Sequence, residues 1–299
     1  MNADPNSSLS RGPETERFGE QAEAHWTETI AKGDCCANCG KPRSGGFCVD
    51  CGQKHLSGRL SFGQIIKQSF AQLTNLDRGL FHTFLDMCRK PGHVAKDYVS
   101  GKQRPYINPL TYFFLGAALQ IVSLWFSQQI LKERVIADFE PLKGSAAVES
   151  LKPSLGENVP EATAEIYISA MKQAYSYAAL FFFAFPLAVF LMLFHKLGGE
   201  HFTLGETLVF ALYAVAQMLI ITAILTPIAV RIDMTVQMVV GPGAYIVITM
   251  LAHTGFFRRG FLARATTLIS LVFAFLIFFA SILAIFLASL LIHVALNAP

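Results

Sequence analysis

The chain has 299 residues and a mass of 32.8 kDa, with 24 Lys and Arg against 21 Asp and Glu, 15% charged and 53% hydrophobic residues, and a mean hydropathy of +0.44. Globular chains are nearer roughly 25% charged. Disordered, fibrous and purely soluble classes are thereby excluded, and the apolar excess lies in five charge-free stretches, 109–131, 173–194, 207–230, 234–257 and 265–292. Each exceeds the roughly 20 residues that cross a bilayer core.

Residues 1–31 form an acidic tail, with Arg11 and Arg17 against Asp4, Glu14, Glu16, Glu20, Glu23 and Glu28. It has no apolar run of signal-peptide length, and its composition predicts disorder. Residues 32–55 hold five of the six cysteines. Four of them form Cys36-Ala-Asn-Cys39 and Cys48-Val-Asp-Cys51, each pair followed by a glycine, Gly40 and Gly52. A Cys-x-x-Cys turn aims two thiolates at one ion, and two such turns complete a tetrahedral zinc shell. A disulfide framework or a redox dithiol are the competing readings; disulfides require an oxidising compartment, against the cytoplasmic side assigned below, and the paired knuckles favour zinc. Cys35 lies outside the two-residue spacing and reads as a bystander, and His55 as a linker histidine. Four thiolates close the shell, so the expected zinc is structural and does not activate water.

Residues 56–108 are basic and amphipathic. Ser61 and Gln64 make a capping box for a helix whose apolar face is Phe62, Ile65, Ile66, Phe70 and Leu73. Asn75 can cap a second helix with the stripe Leu76, Leu80, Phe84 and Cys88, and Arg89 and Lys90 at its C-terminal end. Pro91-Gly92 and Gly101 bracket a third, short helix. These helices can lie among lipid headgroups or fold back on the protein's own spans, and periodicity does not separate the two. Arg89, Lys90, Lys96, Lys102 and Arg104 are the candidates for contact with anionic headgroups.

The knuckles with Gly52-Gln53-Lys54, then Leu76-Asp77, Thr83, Pro91-Gly92, Val94, Tyr98, Gly101-Lys102, Arg104, Tyr106 and Asn108-Pro109-Leu110, resemble the signature of an uncharacterised bacterial membrane family known only as a domain of unknown function. The resemblance covers roughly residues 36–115. It implies an N-terminal zinc ribbon, a juxtamembrane block and several spans. Gln103 departs from it, standing where a further basic residue is common. In outline, five spans behind a cytoplasmic N-terminus are also similar to Yip-type membrane proteins, an analogy of fold alone.

Residues 109–299 then read as a five-span all-α transmembrane domain. Asn108-Pro109 writes the start of the first span, and Thr203 with Glu206 the start of the third. Pro186 is expected to kink the second span, and Gly241-Pro242-Gly243 to bend or break the fourth. The last stretch is long enough to tilt or project. Basic residues before span one, after span two and between spans four and five (Lys196, Arg258, Arg259, Arg264) fall on one side, and the acidic loop 132–172 on the other. The positive-inside rule places the N-terminus in the cytoplasm and the C-terminus outside the inner membrane.

No stretch contains Asp, Glu, Lys or Arg, which restricts ion-coupled transport. His195, His253 and His293 fall at span ends and read as interfacial. Gln120, Gln217, Thr222 and Gln237 are available to tie helices together, and Gly116, Ala117, Ala211 and Ala214 to let them approach closely. No Gly-x-x-x-x-Gly-Lys, His-Glu-x-x-His or Gly-x-Ser-x-Gly motif occurs, and no catalytic residue is assigned. The expectation is a scaffold or regulatory protein that is not an enzyme. Its ribbon docks a cytoplasmic protein and its linker meets anionic lipid in preference to nucleic acid, with self-association open to it. The alternative is a transporter or channel for a neutral or lipidic solute, with a polar cavity bounded by Tyr112, Gln217, Thr222 and Gln237.

Overall fold

The structure, a computed structural model, describes residues 35–42, 45–54, 60, 63, 65, 79–142, 144–155, 158–173, 179–257 and 260–297. The acidic tail, His55 and nearly all of the first amphipathic helix, with its Ser61–Gln64 box and Asn75, lie outside these residues. Of that helix only Gly63 and Ile65 are described; Leu60 and Ile65 are buried in the main core.

Among the described residues two short helices with given bounds precede the membrane domain: α1 (Leu80–Arg89) and α2 (His93–Val99). The buried face of α1 is Thr83 and Met87, with Leu80 and Phe84 packed beside them, and Cys88 is exposed. Both helices therefore turn an apolar face to the protein's own bundle. Val94, Ala95, Tyr98 and Val99 of α2 join the same core as residues of the long helices.

Among the described residues four helical segments are long and apolar enough to cross a membrane: Pro109–Asp138, Leu180–Leu197, Leu204–Ile232 and Phe261–Ala288. A multi-pass membrane protein follows from them. Helix α3 (Pro109–Phe139) begins where the Leu110 amide donates to Asn108 Oδ1 at 3.0 Å. It runs past the expected boundary at Leu131, and the supposed loop beyond it is largely helical: α4 (Ala146–Leu155) and α5 (Val159–Gln173). Ser145 Oγ caps the first of these polar helices by accepting from the Val148 amide, and Pro160 sits in the first turn of the second. Lys132 pairs with Glu165 at 3.0 Å, and Leu131, Ile168 and Val230 pack together, so α5 lies against the far ends of two spans.

A π-helical segment, Leu180–Ala184, leads into α6 (Phe185–Leu197). Pro186 is the second residue of α6, and the π segment directly before it lets the helix run on around the missing N–H. Helix α7 (Leu204–Ile232) starts with both halves of the Thr203–Glu206 capping box formed. Helix α8 (Met234–Phe256) continues through Pro242 without a break. In apolar surroundings no water replaces a lost backbone bond, which favours one proline defect over an opened helix. Helix α9 (Phe261–Asn297) has 37 residues, about 55 Å at 1.5 Å per residue.

The core is centred on α7, the most buried of the span candidates. A Cβ on Gly116 of α3 would meet the Ala216 carbonyl of α7 at 2.8 Å, so the backbones touch there, as small residues allow. Tyr112 donates to Gln217 at 2.5 Å, and Thr222 donates to Gln120 at 3.1 Å. These polar groups tie α3 to α7. The side chain of Gln237 lies outside the described residues.

Candidate functional site

The cysteine segment is built from one unit used twice, with an offset of twelve residues. Cys36 N–H donates to Lys41 O at 2.7 Å as Cys48 N–H donates to Gln53 O at 2.8 Å, and Gly40 and Gly52 N–H donate to the Cys36 and Cys48 carbonyls. The bridge between Cys35 and Pro42 matches that between Phe47 and Lys54. Gly40 and Gly52 have φ of 73° and 67°, a left-handed turn that suits glycine and that closes each knuckle. Lys41 pairs with Asp50 at 2.6 Å and links the two halves.

The repeat brings Cys36, Cys39, Cys48 and Cys51 together, their sulfurs all within 4.8 Å of one another. Cys36 lies 3.6 Å from Cys51 and Cys39 3.6 Å from Cys48. Four sulfurs at about 2.3 Å from one tetrahedral ion stand about 3.8 Å apart, so the donor set and its spacing fit a metal. Cys35 occupies the place that Phe47 has in the second unit; it is exposed and outside the cluster. Crowding sets the thiols against one another. The Asn38 side chain and the Gln53 amide pull Cys51 down to about 6 against desolvation. The Lys41 amide favours the Cys39 thiolate, but desolvation and the three neighbouring thiols override it and push Cys39 up to about 12. Thiols that share protons in this way release them to a cation, so metal binding weakens as pH falls.

The four-cysteine unit rests on the segment between α2 and α3. Arg104 N–H donates to Gln53 Oε1 at 2.8 Å, and the Arg104 guanidinium lies so close to Gly52 that a Cβ there would fall 2.3 Å from Nη1. Gln53 is buried, and its Nε2 donates to the Lys54 carbonyl. Gln53→Ala is expected to loosen this seat by about 1–2 kcal/mol, raising hydrogen exchange in residues 45–54 while metal content stays unchanged.

The segment beneath is itself firmly held. Tyr106 donates to Asp97 at 3.1 Å, where Lys102 also pairs at 3.1 Å. Asn108 Nδ2 donates to the Tyr98 hydroxyl at 3.2 Å, and the Tyr213 hydroxyl of α7 donates to the Ile107 carbonyl at 2.6 Å. Gln103 is buried near the Tyr98 carbonyl, which accounts for an uncharged residue at that position. Of the five headgroup candidates, Arg89 and Lys90 are exposed and Lys96 is half-buried. Lys102 is paired with Asp97, and Arg104 faces the cysteine unit.

His195 and His253, expected at the interface, are 1% and 0% exposed. Among the described residues they share Thr267 of α9 as a common partner.

A family described as protein of unknown function, DUF3667, matches residues 77–121, the stretch that holds Gly92, Tyr98, Arg104, Asn108 and Gly116. The cysteine unit lies outside the match. No curated protein and no solved structure matches the chain.

Proposed function

We propose that this chain is a scaffold or regulatory protein of the bacterial inner membrane, with its N-terminus in the cytoplasm and its C-terminus outside. One structural Zn2+ held by Cys36, Cys39, Cys48 and Cys51 folds a ribbon that docks a cytoplasmic protein. Four thiolates complete the ion's coordination and leave no position for a reacting water, which suits docking better than catalysis. The observation that carries the reading is the one-sided seat of the ribbon. Gly52 and Gln53 lie on Arg104, whereas Phe47 and Val49 stay 61% and 81% exposed on the same small unit. Large apolar side chains left open on a unit otherwise anchored mark a contact surface. Arg89 and Lys90, exposed at the end of α1, are the residues best placed to meet anionic headgroups.

Solute passage is the less supported reading, because Tyr112, Gln217 and Thr222 spend their hydrogen bonds on joining α3 and α7. The test is a photo-crosslinking residue at Val49 in native membranes. A discrete adduct that disappears with Phe47→Asp supports docking, and no adduct under any growth condition overturns it.

A further inference from the structure

One end of the helical domain, beside α2, holds a chain of buried groups that pass hydrogen bonds from one to the next. Glu200, in the turn after α6, places Oε2 2.5 Å from His195 Nδ1. His195 Nε2 lies 3.1 Å from Thr267 Oγ1, and the same oxygen lies 2.8 Å from His253 Nδ1 on α8. Exposure falls along this line, from 16% for the Glu200 side chain to 1% for His195 and 0% for Thr267 and His253. Phe257 stacks on the His195 ring at 4.1 Å and on the His253 ring at 5.4 Å.

Packing alone does not call for this arrangement. Helices are tied by a hydroxyl on a carbonyl, as Ser123 on Ala223 shows in this protein. The Thr267 hydroxyl has a single hydrogen and three acceptors within reach, His195 Nε2, His253 Nδ1 and the Ala263 carbonyl at 3.2 Å. With that hydrogen on one ring or the other the line has two opposite hydrogen-bond directions, and one added proton converts one into the other. A second observation extends the line inward. Thr249 and Tyr245 lie one and two turns before His253 on α8, on the same face. Both are fully buried, and the Tyr245 hydroxyl interacts with that of Thr249. The rings of Phe183 and Phe275, centred 4.5 and 5.4 Å from that of Tyr245, pack against it at this inner end.

We propose that Glu200, His195, Thr267 and His253 form a proton-binding site with access from one end of the bundle, in which a proton taken up at Glu200 comes to rest on His253. The carboxyl group hands its proton to His195 Nδ1. His195 releases the hydrogen on Nε2 to Thr267 Oγ1, and Thr267 passes its own hydroxyl hydrogen to His253 Nδ1. Glu200 and Thr267 end as they began, His195 has exchanged one tautomer for the other, and His253 carries the added charge. Because α6, α8 and α9 each contribute a member, the charge is felt by all three helices. The other ionisable groups at this end are Glu206, buried in its capping box on α7, His93 of α2 beside Gly255, and the exposed Lys196, His201 and Arg264. Arg258 and Arg259 lie outside the described residues.

The test is histidine-selective nitrogen NMR on the full-length protein in lipid nanodiscs, titrated from about pH 5 to 8, with His195→Gln and His253→Gln for assignment. The nitrogen signals of His195 and His253 are expected to change together across this range, and Glu200→Gln to alter that change at both. Thr267→Val, which keeps the shape and removes the relay, is expected to slow proton exchange at His253 by about tenfold or more and to make its titration independent of Glu200. The wild-type titration needs no variant to fold. Two imidazoles that each hold one neutral tautomer across this range, or a His253 signal indifferent to Thr267→Val in a folded variant, would overturn the proposal.

Discussion

Gly92→Ala is expected to unseat the juxtamembrane block from the membrane domain, at a cost of about 4 kcal/mol or more, or to prevent folding. Two independent effects add at this residue. Its φ is 56° with ψ of −35°, a region that side chains with a Cβ rarely occupy. A Cβ there would also fall 1.9 Å from the Ala252 carbonyl and 2.9 Å from its carbon, both backbone atoms of α8 that cannot rotate away. The partner surface is equally bare, since a Cβ on Gly255 would meet the His93 amide at 2.9 Å. Relief requires α2 to lift from α8, which exposes Val94, Ala95 and Tyr98 together. Gly241→Ala, in the same helix, has nothing within 4 Å of the new methyl and should be neutral or slightly stabilising. Thermal unfolding in detergent, with hydrogen exchange over 93–99 and 245–256, separates the two variants.

Cys36→Ser combined with Cys39→Ser should abolish the ribbon while sparing the bundle. The apparent binding energy of a structural zinc in a small module is on the order of 10 kcal/mol, far more than the packing of some twenty residues supplies. Nearly all the internal order of this unit lies in the two knuckles: Cys36 and Cys48 are its buried apolar residues, and the main core contains none of 35–54. Amides of Gly40, Cys48 and Gly52 should lose protection about a thousand-fold or more, whereas the amides of α7 keep theirs. A chelator applied to the wild type should reproduce the pattern, and zinc should reverse it. Acid should act in the same direction, because protons compete for the four sulfurs.

What could be read from the chain in advance was chemistry written in local spacing. Asn108-Pro109 and Thr203-x-x-Glu206 announce helix starts through side chains that satisfy amides within three residues, and both caps form. The Cys-x-x-Cys-Gly pairs are legible for the same reason: each spells out a local turn, and the two turns gather four sulfurs within 4.8 Å of one another. The twelve-residue repeat behind them emerges only with the bridges from Cys35 to Pro42 and from Phe47 to Lys54, which involve residues without a motif.

The misreadings arise where tertiary surroundings decide. Charges after Leu131 suggested a loop, yet they decorate the solvated side of a continuing helix. Gly241-Pro242-Gly243 suggested a bend or a break; α8 is unbroken there, the proline removing one backbone bond while the flanking turns keep theirs. The stripe of α1 was read as Leu76, Leu80, Phe84 and Cys88; Leu76 lies outside the described residues, Leu80 and Phe84 do pack against the core, and Thr83 and Met87 join them as the most buried members, the Ile107 amide donating to Thr83 at 3.0 Å. His195 and His253 stand 58 positions apart, and only the packing of α6, α8 and α9 brings each to the hydroxyl of Thr267.

The central claim, a membrane-anchored ribbon organised by one metal ion, is tested most directly by the metal content and X-ray absorption of the purified full-length protein. The expected result is one zinc per chain, with four sulfur neighbours at about 2.3 Å and none in the Cys36→Ser, Cys39→Ser variant. A protein without bound metal whose Cys36, Cys39, Cys48 and Cys51 are joined as disulfides, or a zinc with oxygen ligands and an open position, would contradict it.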